Sequence, residues 1–162
     1  MKKELNVLIA FVAVWCAGIV LAPLISMIHP AGESLSNILY KFYGVVCHQF
    51  DSRSFHVYDH SFALCIRCTS IYFGFLIALM GVRCSSKLYE KEYNSVLVLI
   101  SSVVPMLLDV ACSFTPFYEI STPSRMISGT IFGIGLALLL HHSLTETISS
   151  LILSKHHEIK TR

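Results

Sequence analysis

Four long stretches with very few charged residues dominate the pattern of the chain. They cover about 5–28, 62–82, 95–112 and 124–142. A helix that crosses the hydrocarbon core needs about 20 mostly apolar residues, because an unpaired backbone amide in lipid costs several kcal/mol. The pattern therefore predicts an all-α integral membrane bundle of four transmembrane helices, forming a single membrane domain over residues 1–162.

A shorter amphipathic segment lies between the first two spans. Leu35, Ile38, Leu39 and Phe42 fall on one helical face, after a candidate N-cap at Ser34. The segment is too short and too polar to cross the bilayer, so we expect a short interfacial helix along the outer membrane surface.

The orientation follows from the basic residues in the short loops, which favour the cytoplasm. With the N-terminus inside, the inner set comprises Lys2, Lys3, Arg83, Lys87, Lys91, Lys155, Lys160 and Arg162. The outer set comprises Lys41, Arg53, Arg67 and Arg125. This bias predicts that both termini are cytoplasmic. The first span is expected to be an uncleaved anchor, with a signal peptide as the alternative.

The composition agrees with a membrane protein and argues against other classes. Apolar residues make up 54% of the chain and charged residues 14%, whereas a soluble domain carries roughly 25% charged residues. The net charge of +2 and the dispersed basic residues argue against a nucleic-acid partner. The partner that the composition implies is the lipid bilayer.

A group of metal-ligand residues marks the outer loop, 29–61, and the mouth of the second span. Cys65 and Cys68 form a C-x-x-C motif, and Cys47-His48 lies upstream in the loop. Such a motif brings two sulfurs within reach of one ion, and a distant Cys or His can complete a tetrahedron. We therefore predict a metal site of Cys47, Cys65 and Cys68, with His48 as fourth ligand or neighbour. Zinc, copper(I) and iron–sulfur all suit these donors.

One acidic residue lies inside an otherwise apolar span. Asp109 belongs to the 95–112 run, and a bare carboxylate in lipid costs a few kcal/mol, so it should face the bundle and find a partner. Arg67 and Arg125 are the helix-borne cations at the same outer end, so we predict a pair with one of them. The pair is either purely structural or part of a site.

The same residues supply the candidates for catalysis and ligand binding. If the site is catalytic, the candidate residues are Cys65, Cys68, Asp109 and Arg125. The arginines Arg53, Arg67 and Arg125 either offset the negative thiolates or bind an anionic lipid or small molecule.

Rows of small residues predict which spans meet. Ser70, Gly74 and Ala78 form one row on the second span, and Gly129 and Gly133 form another on the fourth. Such rows let helix backbones approach closely in lipid, so we expect these two spans to be in contact.

At these residues the chain resembles a family of small multi-pass membrane proteins from bacteria and archaea, a domain of unknown function. The family pattern is Cys-His-Gln, then Arg-Ser-Phe, then Cys-x-Arg-Cys-Thr-Gly-x-Tyr-x-Gly, and later a Pro with a following Asp and an Arg with glycines. Here the blocks are 47–49, 53–55 and 65–74, followed by Pro105, Asp109, Arg125, Gly129 and Gly133. Ser70 replaces a glycine, and Asp109 is followed by Val110-Ala111 rather than by the glycine of the family pattern. The resemblance covers about 40–140 and implies a prokaryotic plasma (inner) membrane, without supplying an activity.

Three functions remain open from the sequence. The leading hypothesis is a Cys/His metal site, possibly redox-active, near the extracytoplasmic face. The alternative is a quinone-linked thiol–disulfide oxidoreductase, in which Cys65 or Cys68 attacks as a thiolate and Cys47 resolves the intermediate. A small transporter that uses Asp109 as a coupling charge is the third. The sequence assigns neither an enzymatic activity nor an oligomeric state.

Overall fold

The computed structural model describes residues 2–28, 32–58, 60–85, 94–114 and 122–160, with side chains up to residue 144 in the last range. Five helices form most of the described chain: α1 Lys2–Ile28, α2 Gly32–Gly44, α3 Ile66–Cys84, α4 Ser95–Cys112 and α5 Thr122–Lys160. A 3₁₀ turn, Asp51–Arg53, and a two-stranded hairpin of β1 Ser54–Val57 and β2 His60–Cys65 connect α2 to α3.

Four of the helices are long and apolar enough to cross a membrane. The candidate spans are Lys3–Met27, Ile66–Cys84, Ser95–Cys112 and Thr122–Leu144. The all-α class and the four transmembrane helices predicted from the pattern are therefore confirmed.

The outward faces of these helices are apolar. Val7, Phe11 and Val14 on α1 and Leu107 and Leu108 on α4 each expose 60% or more of their surface. Contiguous exposed surface of this kind is unfavourable in water, and here the acyl chains of a bilayer would cover it.

Helices α3 and α5 make the closest contact of the bundle through glycines. A Cβ at Gly74 would lie 2.6 Å from the backbone oxygen of Thr130, and one at Gly133 would lie 2.1 Å from that of Ile71. At Gly129 it would lie 2.7 Å from the backbone oxygen of Arg67. The contact between the second and fourth spans, predicted from the small-residue rows, is confirmed.

The other helices pack around this pair. Helix α4 approaches α5 where Gly135 faces the side chain of Ser102. Helix α1 contacts α2, α3 and β2, and its Ile19 and Ala22 belong to a buried cluster with Tyr43 and Leu64. The hairpin is thereby held against the C-terminal half of α1.

The short helix α2 is amphipathic, as expected. Leu35, Ile38 and Phe42 are more than half exposed, whereas the buried Ser36 donates its hydroxyl to the carbonyl of Ala22 on α1 at 2.7 Å. The helix begins at Gly32 rather than after a cap at Ser34. The apolar stripe faces outward, which suits an interfacial helix.

The start of the second span differs from the prediction of residue 62. Residues 60–65 form β2, which pairs antiparallel with β1, and α3 begins only at Ile66. Because the hairpin uses the backbone groups of 62–65 in strand pairing, the helix cannot extend through them. Cys65 has an extended backbone, with φ of −63° and ψ of 160°, and is the N-cap of α3.

Several basic residues on which the predicted orientation depends lie outside the described part of the chain: Lys87, Lys91 and Arg162, and the side chains of Lys2, Lys155 and Lys160. The location of the termini therefore stays a prediction.

Candidate metal centre

Three cysteine sulfurs converge at the junction of the hairpin with α3. The Sγ atoms of Cys47, Cys65 and Cys68 all lie within 4.8 Å of one another. Three thiolates that share one zinc ion at about 2.3 Å would be about 4 Å apart. The group is therefore compact enough for one ion.

Each sulfur is brought to the junction by a different local structure. Cys47 follows the last turn of α2, where its N–H donates to the carbonyl of Tyr43 at 3.1 Å. Cys65 ends β2, and Cys68 lies in the first turn of α3. The approach of Cys47 to the C-x-x-C motif is therefore made by tertiary structure.

Gln49 fixes the loop that carries Cys47. Its backbone adopts a positive φ of 50°, an uncommon conformation for a residue with a side chain. Its Nε2 donates to the carbonyls of Tyr40 and Ala63, both at 2.7 Å. The side chain thus joins the end of α2 to β2, a role that sequence reasoning missed although Gln49 belongs to the Cys-His-Gln block.

The surroundings of Cys47 favour its thiolate form. Hydrogen bonds from the thiols of Cys65 and Cys68 lower the pKa of the Cys47 thiol far below its ordinary value, with smaller contributions from backbone N–H groups. The Cys65 N–H donates to Cys47 Sγ at 3.4 Å. Because the N-terminus of α3 carries a partial positive charge beside the sulfurs, it stabilises negative charge there as well.

His48 lies next to this triad but not in it. Its exposed ring stacks on Phe50, with centroids 5.9 Å apart and an interplanar angle of 4°. Among the described residues, the group of donor atoms within 4.8 Å consists of the three sulfurs without a histidine nitrogen. The role of His48 as fourth ligand stays a prediction. Its ring would have to rotate away from Phe50 to reach an ion held by the three sulfurs.

Asp109 pairs with Arg67 and joins three helices. A guanidinium nitrogen of Arg67 on α3 contacts the carboxylate of Asp109 on α4. Ser124 on α5 donates its hydroxyl to the other carboxylate oxygen at 2.6 Å. The side chain of Asp109 is 4% exposed. The predicted pairing is therefore present, and Arg67 rather than Arg125 is the partner.

A cavity of about 330 Å³ adjoins the triad. Its polar wall contains the three cysteines together with Arg53, Arg67 and Arg125. The volume lies in the range of small-ligand pockets, roughly 300–1,000 Å³. The structure thus brings the sulfurs and all three predicted arginines to one cavity.

Two of these arginines have no acidic partner in the described part of the chain. Arg53 lies over the ring of Phe50, 5.5 Å from its centroid, and neither Arg53 nor Arg125 belongs to a described ion pair. The cavity is therefore positively charged around the sulfurs.

Two archaeal proteins are similar to the chain over most of its length. An uncharacterized protein of Methanocaldococcus jannaschii is 32% identical over 135 residues, which cover 82% of this chain and 86% of the relative. An uncharacterized protein of Methanothermobacter thermautotrophicus is 32% identical over 114 residues, 67% of this chain and 91% of the relative. No solved structure matches the chain.

A family model matches residues 47–139, which begin at Cys47 and include the C-x-x-C motif, Asp109 and Arg125. The matched segment thus contains the whole group of sulfurs and charged residues described above. The chain therefore belongs to the family described as "Predicted membrane protein (DUF2085)".

Proposed function

We propose that the chain is a metal-binding membrane protein, in which Cys47, Cys65 and Cys68 hold one thiophilic ion near the extracytoplasmic face. The observation that carries the proposal is the convergence of three sulfurs within 4.8 Å from separate elements. Zinc and copper(I) both accept such donors.

The hydrogen bonds at Cys47 favour a bound ion over a resolving thiol. The Cys65 N–H donates to the Cys47 sulfur at 3.4 Å, and metal ligands are commonly held by hydrogen bonds of this kind. A thiol–disulfide relay requires only that the sulfurs meet in pairs. It also needs an acceptor such as a quinone, for which the described residues offer no specific feature.

Three protein ligands leave room for a further ligand on a tetrahedral ion. Catalytic zinc sites combine three protein ligands with an open position, whereas structural sites are closed by four. Here the triad lines the cavity, so the free position would face it. His48 closes the site if its ring turns inward, and a small molecule reaches the ion if it does not.

The test is metal analysis of the full chain purified in detergent, combined with thiol counting before and after denaturation. The wild type is expected to retain about one ion per chain, with Cys47, Cys65 and Cys68 protected until denaturation in addition to the buried Cys16. Cys47→Ser, Cys65→Ser and Cys68→Ser should each lose the ion, because each removes one of the three sulfur ligands. Metal-free protein with a disulfide among these cysteines would overturn the proposal in favour of the thiol–disulfide relay.

Two further variants sharpen the metal measurement. Cys84→Ser is the matched control, because Cys84 is exposed and lies at the far end of α3; it should retain the ion. His48→Ala distinguishes an open from a closed site. Retention of the ion supports three protein ligands, and loss identifies His48 as the fourth.

We also propose that both termini are cytoplasmic, which places the triad outside. Ser34 on α2 and Ser95 at the start of α4 are both exposed and are expected on opposite sides. In intact cells, an impermeant maleimide should label Ser34→Cys and not Ser95→Cys, both in a Cys84→Ser background. The reverse labelling would contradict the orientation.

A further inference from the structure

We infer that the cavity beside the triad binds a phosphate group, held by Arg53 and Arg125 with help from Arg67. The inference rests on the proposed function only in placing this anion beside a metal ion. The three arginines line the cavity whether or not a metal ion is bound.

The charges around the cavity leave an excess of positive charge. Arg67 is neutralised by Asp109, whereas Arg53 and Arg125 have no acidic partner among the described residues. A divalent ion with three thiolates carries a charge of about −1, and the two arginines together carry about +2. The cavity therefore keeps a positive charge when the site holds a divalent ion such as zinc.

The guanidinium group of Arg67 has an unused hydrogen-bond donor. Arg67 lines the cavity, and its Nε is buried without a hydrogen-bond partner among the residues that the structure describes. A buried N–H of a charged group without a partner is costly. Because Nε itself is closed to solvent, an anion in the cavity accepts from it only after a small movement of the Arg67 side chain.

The geometry of the arginines favours phosphate over a carboxylate. Arg53 ends the 3₁₀ turn, Arg67 lies on α3 and Arg125 on α5, so the guanidinium groups come from three separate elements. Phosphate offers several oxygens to such donors, and guanidinium groups match them in planar pairs. A carboxylate has only two oxygens and satisfies fewer of them.

The remaining wall allows a free phosphate or a lipid headgroup. Val46, Phe50 and Phe114 line the cavity and are 48%, 56% and 84% exposed. Such an apolar rim at the outer end of the bundle is compatible with the acyl part of a phospholipid. Both sources present the same phosphate chemistry to the arginines.

The experiment measures phosphate binding by the zinc-loaded full chain in two formats. The first is titration with inorganic phosphate in detergent, followed by calorimetry. In the second, the chain is reconstituted in phosphatidylcholine nanodiscs with and without phosphatidic acid. The phosphatidic acid that stays bound to the chain is then measured. Binding in the first format identifies a free oxyanion site, and binding in the second alone identifies a headgroup site.

Arg53→Gln and Arg125→Gln should each weaken binding roughly 10- to 100-fold, because each removes charge-assisted hydrogen bonds. Arg53 is exposed, so its variant should fold. Arg83→Gln is the matched control, since Arg83 lies at the other end of α3, and it should bind like the wild type. Absence of binding in both formats, or unchanged affinity in Arg53→Gln and Arg125→Gln, would overturn the inference.

Metal content, measured on the same samples, separates the two proposals. Wild-type chain that is metal-free as purified and does not take up zinc, but binds phosphate through the arginines, would retain the phosphate site and refute the metal site. Chain that retains metal and binds no phosphate would support the metal site and refute the phosphate site.

Discussion

Asp109→Asn is expected to lower the free energy of unfolding by about 3–5 kcal/mol, the usual result of stranding one member of a buried ion pair. The asparagine side chain can still accept the hydroxyl of Ser124, but it leaves the charge of Arg67 uncompensated. Because Asp109 joins α3, α4 and α5, the loss affects the packing of three helices. The measurement is equilibrium unfolding of the full chain in mixed micelles.

The matched control for this variant is Asp51→Asn. Asp51 contacts His56 at 3.0 Å, and its side chain is 80% exposed, so this pair should contribute less than about 1 kcal/mol. A second variant, Arg67→Met with Asp109→Leu, removes both charges and should recover part of the lost stability. If Asp109→Asn is as stable as Asp51→Asn, the carboxylate is solvated and the pair does not form in the membrane.

Gly133→Ala is expected to cost about 3 kcal/mol, the upper end of the usual range for overpacking. The new methyl group would lie 2.1 Å from the carbonyl oxygen of Ile71 and 2.9 Å from the N of Phe75. Both are backbone atoms of α3, so no side chain can turn away. The helices must separate, and the loss should appear in the same unfolding measurement.

Gly44→Ala provides the comparison for this substitution. A Cβ at Gly44 would lie 3.4 Å from Oε1 of Gln49, an ordinary van der Waals contact. This variant should change the free energy of unfolding by less than about 1 kcal/mol. Alanine has a higher helix propensity than glycine, and the structure leaves room for its methyl group. Equal stability of the Gly133 and Gly44 variants would contradict the close approach of α3 and α5.

The sequence alone was sufficient for the membrane spans and for the contact between two of them. The bilayer imposes a strong rule, since backbone amides in lipid must be bonded within a helix and the residues around them must be apolar. The 95–112 span was therefore predicted with the bounds that α4 has. The glycine rows predicted the α3–α5 contact for a similar reason, because close packing in lipid needs small residues.

The hairpin could not be predicted from the sequence. Its connection begins with Tyr58, which has a φ of 53°, and Tyr-Asp is not among the dipeptides that mark tight hairpin turns. The irregular register between Ser54 and His56 also disturbs the alternation that indicates strands. Residues 62–65 are apolar enough to read as the start of a span, so the pattern placed the helix four residues early.

The candidate site was only partly determined by sequence. Ligand chemistry and the C-x-x-C spacing grouped Cys47 with Cys65 and Cys68, and the cost of a charge in lipid required a partner for Asp109. The tertiary structure decided which arginine pairs with Asp109, where His48 points, and that Gln49 secures the Cys47 loop. These outcomes depend on distances between segments far apart along the chain, and local periodicity and spacing do not encode such distances.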